Sequence, residues 1–100
     1  MDNYEVLLSP KALRDLDSVY AYISRVLQAP DTAEALIKKL ETEIFSLEHF
    51  PCRCPERNIG TYANKGYRQL PIKNYTVIYR IDETNKQVVI ITVRYSRSKP

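Results

Sequence analysis

Tyr75-Thr-Val-Ile-Tyr-Arg-Ile81, Asp82-Glu-Thr-Asn-Lys86 and Gln87-Val-Val-Ile-Ile-Thr-Val-Arg-Tyr95 are the consecutive segments on which the fold turns. In the first, alternation puts Tyr75, Val77, Tyr79 and Ile81 on one side and Thr76, Ile78 and Arg80 on the other, the pattern of a strand with one buried face. The polar segment 82–86 is of hairpin type. In the third, Val88 to Ile91 is apolar on both faces, which predicts a central strand. A further strand-like run, Tyr67–Ile72, precedes them and completes a three-stranded meander.

Toward the N-terminus, Tyr4, Val6 and Leu8 alternate as a short first strand. Ser9-Pro10 supplies a helix cap and a proline where its missing N–H costs nothing. Leu13, Leu16, Val19, Tyr20, Ile23 and Val26 then recur at helical spacing. Pro30 interrupts, and Asp31 with Glu34 has the form of a capping box for a second helix. Its apolar stripe is Ala33, Leu36, Ile37, Leu40, Ile44 and Leu47, with Lys38, Lys39, Glu41 and Glu43 largely opposite. Few residues separate the stripes, so an antiparallel helical hairpin is expected. The whole is read as one α+β domain over residues 1–100, the hairpin packed on one face of a mainly antiparallel sheet.

Composition frames this reading. The chain has 100 residues, 44% hydrophobic and 27% charged, as in an ordinary globular domain. Its net charge is only +3, but residues 65–100 carry eight bases against two acids while residues 1–64 carry seven bases against ten acids. The C-terminal third is therefore suited to something negative. The N-terminus has no export-signal pattern and no run is apolar enough to span a bilayer, so the expected address is the cytoplasm with no membrane partner. Cys52 and Cys54 are too close for an ordinary structural disulfide, and with His49 they are one ligand short of a closed zinc site. They are read as part of a proline-bounded loop, with no metal and no cofactor. His49, at a helix end, is read as capping carbonyls.

The wording of the chain is more specific than its architecture. Ser9-Pro10-x-Ala12-x-x-Asp15-Leu16, Tyr20-x-Tyr22-Ile23, Leu47-x-x-Phe50-Pro51, Gly66-Tyr67-Arg68-x-Leu70, Tyr75-x-Val77-Ile78-Tyr79-Arg80 and Val93-Arg94-Tyr95 follow one another in an order that resembles the RelE/ParE superfamily of bacterial toxins. The likeness covers nearly the whole chain. It implies a type II toxin–antitoxin system, in which a cognate antitoxin lays an extended or helical C-terminal segment over the toxin's hairpin and the exposed face of its sheet.

The resemblance implies two alternative targets. RelE-like members cleave messenger RNA on the ribosome and need cations at the scissile phosphate and a proton donor. Matched through the Tyr75–Tyr79 segment, their phosphate-clamping arginine falls on Thr76. Their histidine or arginine after the last strand falls on Ser96, and their paired lysines fall on Arg68 and Leu70. Only Arg68 keeps a charge. ParE-like members lack the nuclease set and poison DNA gyrase, and the Ser9–Leu16 and Tyr20–Ile23 wording looks more like theirs. A decayed toxin retained only in complex with its antitoxin is a third reading.

On the ParE-like reading no residue is catalytic, whereas a nuclease would rely on Arg68, Arg80 and Arg97. Arg68 and Arg80 are expected on one uncovered sheet face with Thr76, either functional or simply solvated. Target contacts are assigned to Arg68, Lys73, Arg80, Arg94, Tyr95 and Arg97. Antitoxin contacts are assigned to Leu13, Leu16, Tyr20 and Arg94, so the cluster at Arg94–Arg97 could serve either partner. Tyr20, Tyr22, Tyr67, Tyr75 and Tyr79 are expected at core or boundary phases.

Overall fold

A computed structural model of the chain describes residues 3–57 and 66–95. Strand β1 (Glu5–Leu8) leads into helix α1 (Pro10–Ala21), which runs on as a π turn over Tyr22–Val26. Helix α2 (Pro30–Phe45) ends in a 3-10 turn, Ser46–Glu48, and a second such turn covers Pro51–Arg53. Strands β2 (Arg68–Ile72), β3 (Tyr75–Asp82) and β4 (Gln87–Tyr95) follow. The sheet order is β1-β4-β3-β2, with β1 parallel to β4 and the other pairs antiparallel. The last strand is indeed internal, which explains why it is apolar on both faces.

Local chemistry accounts for most element boundaries. Ser9 is extended and its Oγ accepts the Ala12 N–H at 3.0 Å, with Pro10 at the first helical position. Helix α2 starts two residues earlier than the capping-box reading expects. Pro30 occupies its first turn, the N-cap is Ala29, and no side chain caps it. Asp31 instead lies inside the first turn, where its carboxylate complements the helix dipole. Between the helices, Gln28 takes a left-handed φ of 54° and the Ala29 N–H reaches back to the Ile23 carbonyl at 3.0 Å.

The helices lie against each other, and α1 lies against β4. The core comprises Ala12 and Leu16 of α1, Leu40 and Ile44 of α2, Leu47, and Ile72, Val77, Tyr79, Val88, Ile90 and Val93 of the sheet. Each such aliphatic side chain contributes on the order of 1.5–3 kcal/mol by leaving water. The α1 stripe differs from its simple periodic reading. Ala12, Leu16 and Ile23 are buried, while Leu13, Tyr20 and Val26 are exposed. The wider π turn rotates its residues relative to the α-helical phase, leaving Val26 and Leu27 on the surface.

Both flanks of the sheet are tied down. The β2 edge is paired locally: Gln69 N–H donates to the Pro55 carbonyl at 3.2 Å and Arg57 N–H to the Tyr67 carbonyl at 2.7 Å. Pro71, also on β2, presents no N–H to a further strand. At the other flank the β3–β4 turn is fastened to the start of β1. Tyr4 donates its hydroxyl to Glu83 at 2.8 Å and carries the Lys86 ammonium 5.0 Å above its ring.

Candidate functional site

A groove of about 840 Å³ lies where α1, the π turn and α2 overhang the tail of the sheet. Its helical walls include Asp15, Val19, Tyr22, Leu27 and Leu36, and its sheet wall Lys73, Asn74, Tyr75, Val93 and Tyr95. The lining is mainly apolar, as binding clefts are. Tyr75 and Tyr95, opposite each other on β3 and β4, meet edge to face with ring centroids 5.5 Å apart. Burial, with the Tyr95 and Tyr22 hydroxyls alongside, pushes the Tyr75 phenol above its ordinary value. Lys73 stands on the β2–β3 turn at the rim, in a left-handed conformation with φ 54°.

Asp15 is the groove's one acid among the described residues, and it is already engaged. Its carboxylate accepts the Thr92 hydroxyl, the Val93 N–H at 3.0 Å and the Lys11 ammonium at 3.2 Å. Burial alone would raise its pKa, but these bonds outweigh that and hold it below the ordinary carboxylate value.

A second polar cluster sits at the opposite end of β3. Tyr79 is fully buried and donates its hydroxyl to the Pro51 carbonyl. Burial and the adjacent Cys54 raise its phenol far out of the titratable range. Arg68 donates to the Cys54 carbonyl at 2.6 Å and the Cys52 carbonyl at 3.4 Å. Arg53 donates to the His49 carbonyl at 2.8 Å and to the Ser46 side chain at 2.8 Å. The carbonyl cap at this helix end is thus Arg53 and not the His49 imidazole, which lies 3.3 Å from Glu48. Cys54 is buried in the core beside Tyr79, and Cys52 is exposed.

The residues assigned from sequence to one surface are distributed over three places. Register pairs Arg68 with Tyr79, which puts Arg68 on the helix side of the sheet. Arg80, Thr76 and Arg94 share the reverse face, with Thr76 opposite Arg94. The expectation that Arg68 and Arg80 share an uncovered face is therefore corrected, and Thr76 itself is only 8% exposed. Lys73 and Tyr95 belong to the groove. Leu13 and Tyr20 are exposed on α1, but Leu16 is 7% exposed and packs in the core, so it offers a partner no surface. Arg94 does not join them, since it faces away from the helices. Arg97 and Ser96 lie outside the described residues.

Tyr22, expected at a core or boundary phase, is 52% exposed at the groove mouth, and Tyr20, expected likewise, is exposed as well. Sequence reading missed the part played by Asp15, Thr92 and Tyr22. The available signals were an acid on an apolar helix flank and a threonine within an otherwise apolar strand.

A chain from the "Chromosomal ParDE TA system from P. aeruginosa" superposes with a TM-score of 0.78 at 18% identity, covering 95% of this chain and 98% of its own. A chain of the RelBE2 toxin–antitoxin complex from Mycobacterium tuberculosis gives a TM-score of 0.66 at 24% identity, covering 98% and 97%. One from the archaeal RelE-RelB complex of Pyrococcus horikoshii OT3 gives 0.63 at 19%, covering 96% and 99%. At these identities the likeness is one of fold. No curated protein sequence matches the chain. The sequence pattern of one family, described as "ParE toxin of type II toxin-antitoxin system, parDE", matches residues 6–100, and on that match the chain belongs to the ParE toxin family.

Proposed function

We propose that this ParE-family toxin poisons DNA gyrase and is silenced by a cognate antitoxin whose C-terminal segment occupies the tyrosine-lined groove. The observation that carries the choice of target is the state of Arg68. It is the one cation retained at the positions where RelE-like nucleases place theirs, and its guanidinium is engaged by the carbonyls of Cys52 and Cys54. The matching positions Thr76 and Leu70 offer a nearly buried hydroxyl and an alkyl chain. Neither can neutralise a scissile phosphate as a guanidinium or ammonium does. Losing several such groups removes on the order of 10²-fold in rate or more apiece, which argues against RNA cleavage.

The antitoxin's seat is supported by the groove's chemistry. Exposed Tyr22, Leu27 and Tyr95 are the kind of large apolar side chains that anchor a partner, and Lys73 at the rim favours an acidic flank on that partner. Structural relatives of the same fold are named as toxin–antitoxin systems and complexes. The same reading puts the protein's work in the cytoplasm. Among the described residues no helix is long and apolar enough to cross a membrane.

The test is a supercoiling assay with purified toxin, gyrase, ATP and relaxed plasmid. Blocked supercoiling or accumulated linear DNA, reversed by the antitoxin, is the expected result. Unaffected gyrase, together with codon-phased breaks in transcripts of poisoned cells, would reject the gyrase reading in favour of the ribosome.

A further inference from the structure

Strand β4 carries one residue more than its partner. Ile78 pairs with Thr92 and Tyr79 with Ile90, leaving Ile91 unmatched as a β-bulge. The consequence for side-chain direction is large. In an unbroken strand Ile90, Thr92 and Arg94 would share the helix side, and Val93 and Tyr95 would point away. With the bulge, Ile90 and Val93 are both in the core and Tyr95 meets Tyr75 at the groove. Arg94, paired with Thr76, is turned to the reverse face.

Helix α1 and its N-cap hold this bulge from both sides. The Ser9 N–H donates to the Ile90 carbonyl at 3.0 Å, and the Ser9 Oγ donates to the Ile91 carbonyl at 2.8 Å. Asp15 accepts the Thr92 hydroxyl and the Val93 N–H. Lys11, one turn before Asp15, steadies the carboxylate. Ser9 and Asp15, six residues apart at the head of one helix, thus grip residues 90–93. A one-residue slip of β4 would reverse every side chain beyond the bulge, so something must select the register.

We infer that Ser9 and Asp15 are positioning residues whose clamp on the β4 bulge decides that a tyrosine, and not an arginine, lines the groove. Their importance for partner binding rests on the reading of that groove as the antitoxin's seat. The clamp itself rests only on the geometry above.

The experiment uses the full chain, released from its complex with the antitoxin and refolded. In Asp15→Ala the nuclear Overhauser contacts between the Tyr75 and Tyr95 rings should disappear. Exchange of the Val93 amide should speed up by about tenfold or more, the scale of one lost charge-assisted hydrogen bond. Affinity for the cognate antitoxin should fall by about tenfold or more, as for loss of an aromatic anchor. Deleting Ile91 in the same variant removes the need for a clamp and should restore both the ring contacts and the affinity. Should Asp15→Ala fail to fold, Thr92→Val, which removes only the hydroxyl partner, is expected to show the same changes to a lesser degree.

Ring contacts that persist in a folded Asp15→Ala or Thr92→Val chain, or that deletion of Ile91 does not restore, would overturn the clamp. Lost ring contacts with undiminished antitoxin affinity would uphold the clamp and overturn the groove as the antitoxin's seat.

Discussion

Tyr75 and Tyr79 lie four residues apart on the same face of β3, yet they end in opposite circumstances. Tyr79 is fully buried, its hydroxyl on the Pro51 carbonyl, in a loop end where Arg53 and Arg68 also bond to backbone carbonyls. Tyr75 opens onto the groove, stacked edge-on against a half-exposed Tyr95. At the loop end Arg53, Arg68 and Tyr79 satisfy backbone carbonyls and stabilise the fold. At the groove end an apolar surface is left for something else to cover. The same residue type therefore serves stability at one end of a strand and, on the proposed function, recognition at the other, and its neighbours decide which.

The largest expected effect falls on the buried end. Tyr79→Ala should destabilise the chain by about 3–5 kcal/mol, the usual range for truncating a core aromatic, measured by urea unfolding. A loss below about 1 kcal/mol would break the contrast, because it would mean that the loop end is not packed as described. At the groove end Tyr95→Ala should weaken antitoxin binding by about 2 kcal/mol, a hot-spot loss, while its effect on unfolding stays small. Titration calorimetry beside a denaturation curve separates the two quantities. A mutant that loses stability but keeps affinity would reverse the assignment.

Next in size is Arg68→Gln, which leaves the Cys54 carbonyl short of its charged donor. About 1–2 kcal/mol of stability should be lost, with gyrase inhibition retained below the melting range. Loss of toxicity without loss of stability would return Arg68 to the functional list.

The smallest effect is that of pH on Asp15. Its folded pKa lies below the ordinary value, so its bonds to Thr92, Val93 and Lys11 stabilise the fold at neutral pH. That contribution is intact above about pH 4, the unfolded carboxylate value, and fades as pH falls through the lower folded value. The wild-type chain should therefore lose more stability than Asp15→Asn as pH falls below about 4, as followed by acid titration of the melting temperature. Equal losses would show that the clamp bonds carry no charge dependence.

Much of the architecture was legible because it depends on near neighbours in the chain. The Ser9 cap, the helical stripe of α2, the polar β3–β4 turn and the central place of Gln87–Tyr95 all follow from spacing of a few residues. The corrections have a common cause. Alternation tells which residues of β2 share a face, but only pairing with β3 says which face that is, and the pairing puts Arg68 toward the helices. The α1 stripe lost Val26 to the surface because the helix widened into a π turn before Gln28. The expected capping box yielded to Pro30, which sits naturally in a first helical turn and opened the helix two residues early.

The candidate site was legible only in fragments. Lys73 and Tyr95 were picked out for charge and aromaticity, yet the groove needs them beside Asp15, Tyr22 and Leu36, which come from other elements. By itself the sequence determined the α+β class, the order of elements, the basic C-terminal third and the family wording, because these rest on local propensity, periodicity and composition. Only the tertiary structure decided which face each arginine takes, where β4 bulges and which tyrosines line the groove. Those outcomes depend on register and on hydrogen bonds between residues some eighty positions apart, such as Asp15 with Thr92 and Val93, which no local pattern encodes.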